Sequence, residues 1–227
     1  MIAEPRATEP GRDCPLCPRL AAFRATQRAE FPQWHNAPVP AFGGRDGRLL
    51  IVGLAPGLRG ANRTGRPFTG DYAGNLLYDT MKKFGFAQGG YDARADDGFA
   101  LIDCRVSNAV RCVPPENKPE PSEIKTCNAF LAAELKSLPH LAAVLALGAI
   151  AHQAVLLALG QRRAAFDFAH GAVHALPPGL LLADSYHCSR YNTNTGRLTS
   201  AMFEAVFVEL RRRLDRPGGQ SPQQREA

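Results

Sequence analysis

Residues 49–74 read LLIVGLAPGLRGANRTGRPFTGDYAG, and the rest of the chain is organised around this stretch. An apolar run of strand length, Leu49 to Val52, passes directly into a Gly/Pro-rich turn. This is how an α/β protein delivers a loop to the carboxyl edge of a parallel sheet, where ligands bind. The glycines let backbone come close to a ligand, while Pro56 and Pro67 stiffen the path. Arg59, Arg63 and Arg66 have no acid beside them in sequence and suit an anionic partner. Asp71 is the only acid of the stretch and Phe68 a loop aromatic. Gly60 to Gly65 has the glycine spacing of a phosphate loop, but Arg66-Pro67 stands where Lys-Ser/Thr is required. No G-x-G-x-x-G follows the strand either, which argues against ATP and dinucleotides.

Outward from this stretch, apolar runs alternate with helical patterns. Helices are expected over 19–30, 73–84, 122–138 (capped by Ser122), 149–159 and 199–214. Strands are expected over 99–108, 142–147, 173–176 and 179–185. The alternation predicts one α/β domain with a parallel sheet. It spans 13–214, between disordered polar tails at 1–12 and 215–227. Of the 227 residues, 45% are hydrophobic and 21% charged, as in an ordinary globular protein. A net charge of +6 and a pI near 9.2 favour a polyanionic partner such as nucleic acid. No apolar run reaches the roughly 20 residues of a membrane span, and the N-terminus lacks the apolar segment of a signal peptide. A cytoplasmic location is expected, and there six cysteines point to metal or catalysis rather than disulfides.

Cys14-x-x-Cys17 is a pair able to grip one metal centre, with Cys112 and Cys127 as the completing pair. Four thiolates suit zinc or an iron–sulfur cluster, and spacing alone does not separate the two. Cys104, in a strand, and Cys188, in a later loop, are left out. That later loop, HCSRYNTNTGR from His187 to Arg197, lies at a second strand end. It joins a His to small hydrogen-bonding side chains of the kind that contact phosphates, among them Ser189 and Asn192. Arg190 or Tyr191 is suited to stack or wedge. Asn108 offers a donor and an acceptor together, as reading a base edge requires. His170 and His174 flank a turn and read as structural.

Taken together, these residues resemble the uracil-DNA glycosylase superfamily, and most closely its iron–sulfur branch, family 5. The resemblance rests on Gly53-Leu-Ala-Pro-Gly57, Asn62-Arg-Thr-Gly-Arg-Pro-Phe-Thr-Gly-Asp71, Asn108-Ala-Val-Arg-Cys112, Cys127 and His187 to Thr199, in the family's order. It implies a three-layer α/β/α fold with a central four-stranded parallel sheet. It also implies a structural [4Fe–4S] cluster on Cys14, Cys17, Cys112 and Cys127, with zinc as the alternative. Gly53, Leu54, Ala55, Phe68 and Asn108 would bind the flipped base, Phe68 by stacking and Asn108 by reading its edge. Asp71 and His187 would be catalytic. Asn62, Arg63, Arg66, Ser189, Arg190, Tyr191 and Asn192 would meet the DNA. Leu54 stands where family 4 members carry a Glu, so no water-activating role is expected at that position. Cys188 stands where many relatives have Pro. The implied enzyme is a monomeric, nucleoid-associated glycosylase that removes uracil and other damaged bases. With no Lys in either loop, no lyase step is expected. The competing reading is a non-catalytic nucleic-acid-binding protein with a cysteine-held metal staple.

Overall fold

The computed structural model describes residues 8–216; most of the two expected tails, 1–7 and 217–227, lies outside the described residues. The elements are α1 (Pro18–Glu30), β1 (Leu49–Gly53), α2 (Ala61–Thr64), α3 (Tyr72–Lys83), β2 (Ala87–Gln88), β3 (Ala100–Leu101) and β4 (Cys104–Asn108). There follow α4 (Pro121–Lys136), β5 (Ala143–Leu147), α5 (Ala149–Ala158), β6 (Val173–Leu176), β7 (Leu180–Ser185), α6 (Arg190–Asn194) and α7 (Ser200–Leu214).

β1, β4 and β5 are buried at every position; β1 and β5 are uninterrupted apolar runs, whereas β4 buries Arg105, Ser107 and Asn108 as well. Alternation then divides the core. Leu49, Ile51, Leu145 and Leu147 join Leu77, Met81, Phe203 and Phe207 of α3 and α7. Leu50, Val52, Val144 and Ala146 join Leu131 and Leu135 of α4 and Ala154 and Val155 of α5. Helices on both faces of one sheet make the three-layer α/β/α arrangement. The strand order is β4-β1-β5-β7-β6. The first four strands are parallel, and β6 adds a fifth, antiparallel to β7, at the edge.

Three local expectations are corrected. The strand expected over 99–108 is broken, because Asp103 adopts φ +53 and turns its carboxylate onto the backbone N–H and guanidinium of Arg48. Only Cys104–Asn108 enters the main sheet, while β3 pairs with β2 in a separate two-stranded ladder. α4 starts earlier than Ser122, with Glu120 as its cap, Pro121 in its first turn and Glu123 accepting from the Glu120 N–H at 2.7 Å. The inner end of the N-terminal tail is held rather than loose: Glu9 accepts from the Ala41 N–H at 3.0 Å and pairs with Arg111 at 3.2 Å.

That pairing joins a buried network beneath β4. Glu134 of α4, 1% exposed, accepts from Arg105, Ser107 and Arg111 at 2.7, 2.7 and 2.6 Å. Burial pushes its carboxyl upward, but Arg111, Arg105 and Ser107 outweigh it and hold the group below its usual value. A carboxyl lowered in the fold stabilises above its unfolded value, and that contribution disappears as pH falls through the folded one. Glu134→Gln should therefore cost about 3–5 kcal/mol at neutral pH by leaving the buried guanidiniums of Arg105 and Arg111 with the part-exposed Glu9 as their remaining carboxylate. Its deficit against wild type should shrink in denaturant titrations as pH falls below the ordinary glutamate value.

Candidate active site

The site forms where β1 and β4 end side by side, with Gly53 directly opposite Asn108 in the parallel register. A side chain at Gly53 would place its first carbon 2.5 Å from both Phe68 Cζ and Asn108 Oδ1. The missing side chain is what lets that ring and that amide converge. Phe68 reaches the spot from a left-handed backbone, φ +52, which costs a bulky residue of order 1–3 kcal/mol. Its surroundings hold it there. The Tyr78 hydroxyl donates to Pro67 O, and the Tyr91 hydroxyl donates to Phe68 O at 3.3 Å. A side chain at Gly74 would collide with the Phe68 carbonyl, at 1.8 Å.

Asp71 caps α3, accepting from the Gly74 N–H at 3.2 Å. Its carboxylate lies over bare backbone, since a side-chain carbon at Gly60 would sit 2.5 Å from Oδ2. Burial raises its pKa, and the N–H groups of Gly74 and Ala73 only partly oppose that. His187 follows β7 and stacks with Phe68, centroids 5.9 Å apart. Burial lowers its pKa to about 4, so the imidazole is neutral at pH 7. Asn192 in α6 donates to His187 O at 2.8 Å, and Ser189 caps that helix. These two residues thus set the loop that carries the imidazole.

Leu54, Ala55, Phe68, Asp71, Asn108 and His187 line one cleft of about 640 Å³. A flat, polar-edged ring fits between the Phe68 face and the Asn108 amide, with an acid and a neutral imidazole beside it. Tyr72, Asn117, Arg59 and Arg190 also line the cleft, and the sequence reading singled out neither Tyr72 nor Asn117. The signal for Asn117 was its place in the turn Pro-Pro-Glu-Asn, where it adopts φ +57, a conformation Asn tolerates.

Two expected surface contacts are corrected. Asn62 is fully buried and donates to Asn36 Oδ1 at 2.8 Å. Arg66 is 4% exposed and makes a two-pronged pair with Asp97, at 2.8 Å on each arm. Its guanidinium lies 5.0–5.8 Å from the ring centres of Phe42, Tyr78, Tyr91 and Phe99. Both residues build the loop rather than face a ligand. Other expected contacts do face out: Arg59 and Arg190, which line the cleft, and Arg63 are exposed, and Tyr191 is 72% exposed.

Cys14, Cys17, Cys112 and Cys127 line one small cavity with Leu20 and Arg24 on the side of the fold where α1 meets α4. Burial pushes the thiols of Cys17, Cys112 and Cys127 up to about 11. Such a set becomes thiolate only when a cation balances it. Donors are already aimed at the sulfurs. Arg24 reaches Cys112 Sγ at 3.1 Å, and the Arg111 N–H reaches Cys127 Sγ at 3.4 Å. Four thiolates gathered in this way are the ligands of zinc and of iron–sulfur clusters alike. Cys104 and Cys188 are buried elsewhere, in β4 and against Ala73.

A family model described as the uracil DNA glycosylase superfamily matches residues 40–211. The chain is 45% identical over 205 residues to a type-5 uracil-DNA glycosylase of Thermus thermophilus, covering 88% of this chain and 93% of that protein. It is 40% identical over 208 residues to a type-5 uracil-DNA glycosylase of Mycobacterium bovis, covering 88% and 77%. A type-5 uracil-DNA glycosylase of Pyrobaculum aerophilum is 40% identical over 205 residues, covering 88% and 87%.

The placement of Arg66 is testable without any ligand. Asp97→Asn leaves a guanidinium buried and unpaired and should cost about 3–5 kcal/mol in urea unfolding. Arg66→Met, which keeps an apolar stem inside the aromatic box, should cost less. Equal and small losses would mean that Arg66 is free to serve the surface.

Proposed function

The chain belongs to the uracil-DNA glycosylase superfamily, and from that premise we propose that it excises uracil from DNA by hydrolysing the N-glycosidic bond, leaving an abasic site. One observation carries the reading: Phe68, Asn108, His187 and Asp71 converge in a single cleft around the bare backbone of Gly53 and Gly60. Other damaged bases fall within the same proposal, since the cleft is roomy.

A base flipped out of the duplex loses stacking and pairing worth a few kcal/mol. Stacking on Phe68 returns about 1–3 kcal/mol, and Asn108 pairs with the base edge. Bond cleavage then develops positive charge on the sugar and negative charge on the departing base. Asp71, as carboxylate, stabilises the sugar cation or orients the attacking water. His187, neutral, donates a hydrogen bond to the base's O2 as the anion forms. A neutral donor keeps the charge on the leaving group instead of competing with Asp71 as a second ion in the same low-dielectric cleft. Leu54 closes the wall without contributing chemistry. Arg59 and Arg63 on one side of the cleft, and Arg190 with Tyr191 on the other, meet the DNA backbone. Tyr191 is the best-exposed wedge. With no Lys in either loop, the reaction stops at hydrolysis. The setting that goes with this reading is the cytoplasm, with a monomer acting at the nucleoid. No described helix is long and apolar enough to cross a membrane.

We further propose that Cys14, Cys17, Cys112 and Cys127 hold a [4Fe–4S] cluster. Its chemistry here is structural: four Fe–S bonds would tie the segment before α1 to the turn after β4 and to α4. The shared cavity and the sulfur-directed donors of Arg24 and Arg111 support a thiolate-held centre here.

Purified Asp71→Asn should release uracil from a uracil-containing duplex about 10²–10⁴-fold more slowly than wild type while binding the duplex normally. Full activity in that variant would shift the catalytic role to His187 and Asn192. If wild type released no base at all, the non-catalytic binding reading would stand. The pH profile gives an independent check. Asp71 acts as the carboxylate, so the rate should fall with decreasing pH through a value raised above the ordinary aspartate one. No His187 inflection should appear between pH 6 and 8, because that group has already lost its proton near pH 4. For the cysteines, Cys112→Ser should lose the brown colour, iron content and thermal stability of wild type. Iron content equal to wild type would remove Cys112 from the ligand set.

A further inference from the structure

We propose that His152, His174 and Asp184 form a second metal site, for a divalent ion of the zinc class, at the β6 edge of the sheet. The sequence reading took His174 as merely structural. The fold gives it different company. Asp184 and Leu182 share the face of β7 that looks toward α5, and His174 pairs with Leu182 across the β6–β7 ladder. His152 comes down from α5, so three elements deliver one ligand atom each, all within 4.8 Å of one another.

The charge and hydrogen-bond inventory of this cluster calls for a cation, which either a proton on His152 or a bound metal ion supplies. Asp184 is 0% exposed, and among the described residues it has no Lys or Arg partner; only the two histidines touch it. An isolated buried carboxylate is very costly. His152 Nε2 lies 2.9 Å from Phe166 O, a pure acceptor, so that nitrogen carries a hydrogen. In the neutral ring this leaves the lone pair of Nδ1 aimed at Asp184 Oδ1, 2.8 Å away. Two electron pairs face each other there unless a cation lies between them. A backbone carbonyl that fixes the tautomer from the far side of the ring is also how metal-bound histidines are held.

The distances sit close to those of a site. With Zn–N and Zn–O near 2.0–2.1 Å, tetrahedral ligand atoms stand roughly 3.3–3.4 Å apart. His174 Nε2 is 3.3 Å from Asp184 Oδ2 and His152 Nδ1 is 2.8 Å from Oδ1, so a metal held through one of these oxygens needs the carboxylate to rotate. Imidazole and carboxylate together suit zinc, cobalt or nickel rather than calcium or magnesium. Phe166 and Phe168 pack edge-on against the imidazoles and limit water. His174, only partly buried on the edge strand, leaves a way in. The chemistry is distinct from the thiol quartet, which is sulfur only.

The test adds Co²⁺ alone, then Zn²⁺ alone, to the purified full-length protein after its iron has been assayed. One equivalent of Co²⁺ should give visible d–d bands of a nitrogen/oxygen site without sulfur-to-cobalt charge transfer, and Zn²⁺ should displace it and raise the thermal midpoint. His174→Ala, at the sheet edge, should keep the wild-type circular dichroism and bind Co²⁺ at least ten-fold more weakly. Asp184→Asn should behave likewise, and if it fails to fold His174→Ala still decides. Absence of such bands in wild type would overturn the proposal and leave a proton as the bridging cation. Equal affinity in wild type and His174→Ala would overturn it as well.

Discussion

The narrowest constraint in this protein is the empty space beside the α-carbon of Gly53. Parallel pairing of β1 with β4 puts that residue level with Asn108. The chain then returns Phe68 to the same point, so a ring, an amide and a strand end share a volume with no room for one more carbon. Everything that shapes the loop serves this meeting. Arg66, locked between Asp97 and four aromatic rings, closes the loop from beneath. Tyr78 and Tyr91 hold the carbonyls on either side of Phe68 and sustain its unfavourable backbone. Gly60 and Gly74 give way so that Asp71 and the Phe68 carbonyl can occupy their places.

Burial acts on charge in two opposite ways within this fold. Where a carboxylate meets guanidinium, as at Glu134 and Asp97, attraction and hydrogen bonding outweigh desolvation and the group stays ionised. In the cleft no guanidinium pairs with Asp71 among the described residues. Desolvation there raises Asp71 and lowers His187, which moves both groups toward neutrality. An acid and an imidazole that interact weakly with water and with each other are available to respond to charge arising on a substrate.

The net charge of +6 does not say which cations are free to meet a polyanion. Arg24, Arg66, Arg105 and Arg111 are buried and engaged inside the fold. Arg48 and Arg211 are spent on the carboxylates and carbonyls where α7 ends. What remains for DNA is the smaller set around the cleft mouth, and its position matters more than the total.

The amino-acid sequence by itself determined the layers and the strand ends. Short apolar runs between turn residues suit buried strands, and the loops leaving such strands carry Phe68, Asp71, Asn108 and His187 to one edge. The cysteine pairs could likewise be matched by their positions relative to those strands. Only the tertiary structure decided which side chains are free. Asn62 and Arg66 look like Arg63 in a one-dimensional string, yet their partners, Asn36 and Asp97, lie 26 and 31 residues away. The same holds for His152, His174 and Asp184, which meet because a helix, an edge strand and an inner strand cross at one point. Local sequence encodes the period of burial, but the pairing of polar groups depends on contacts made only once the sheet has closed.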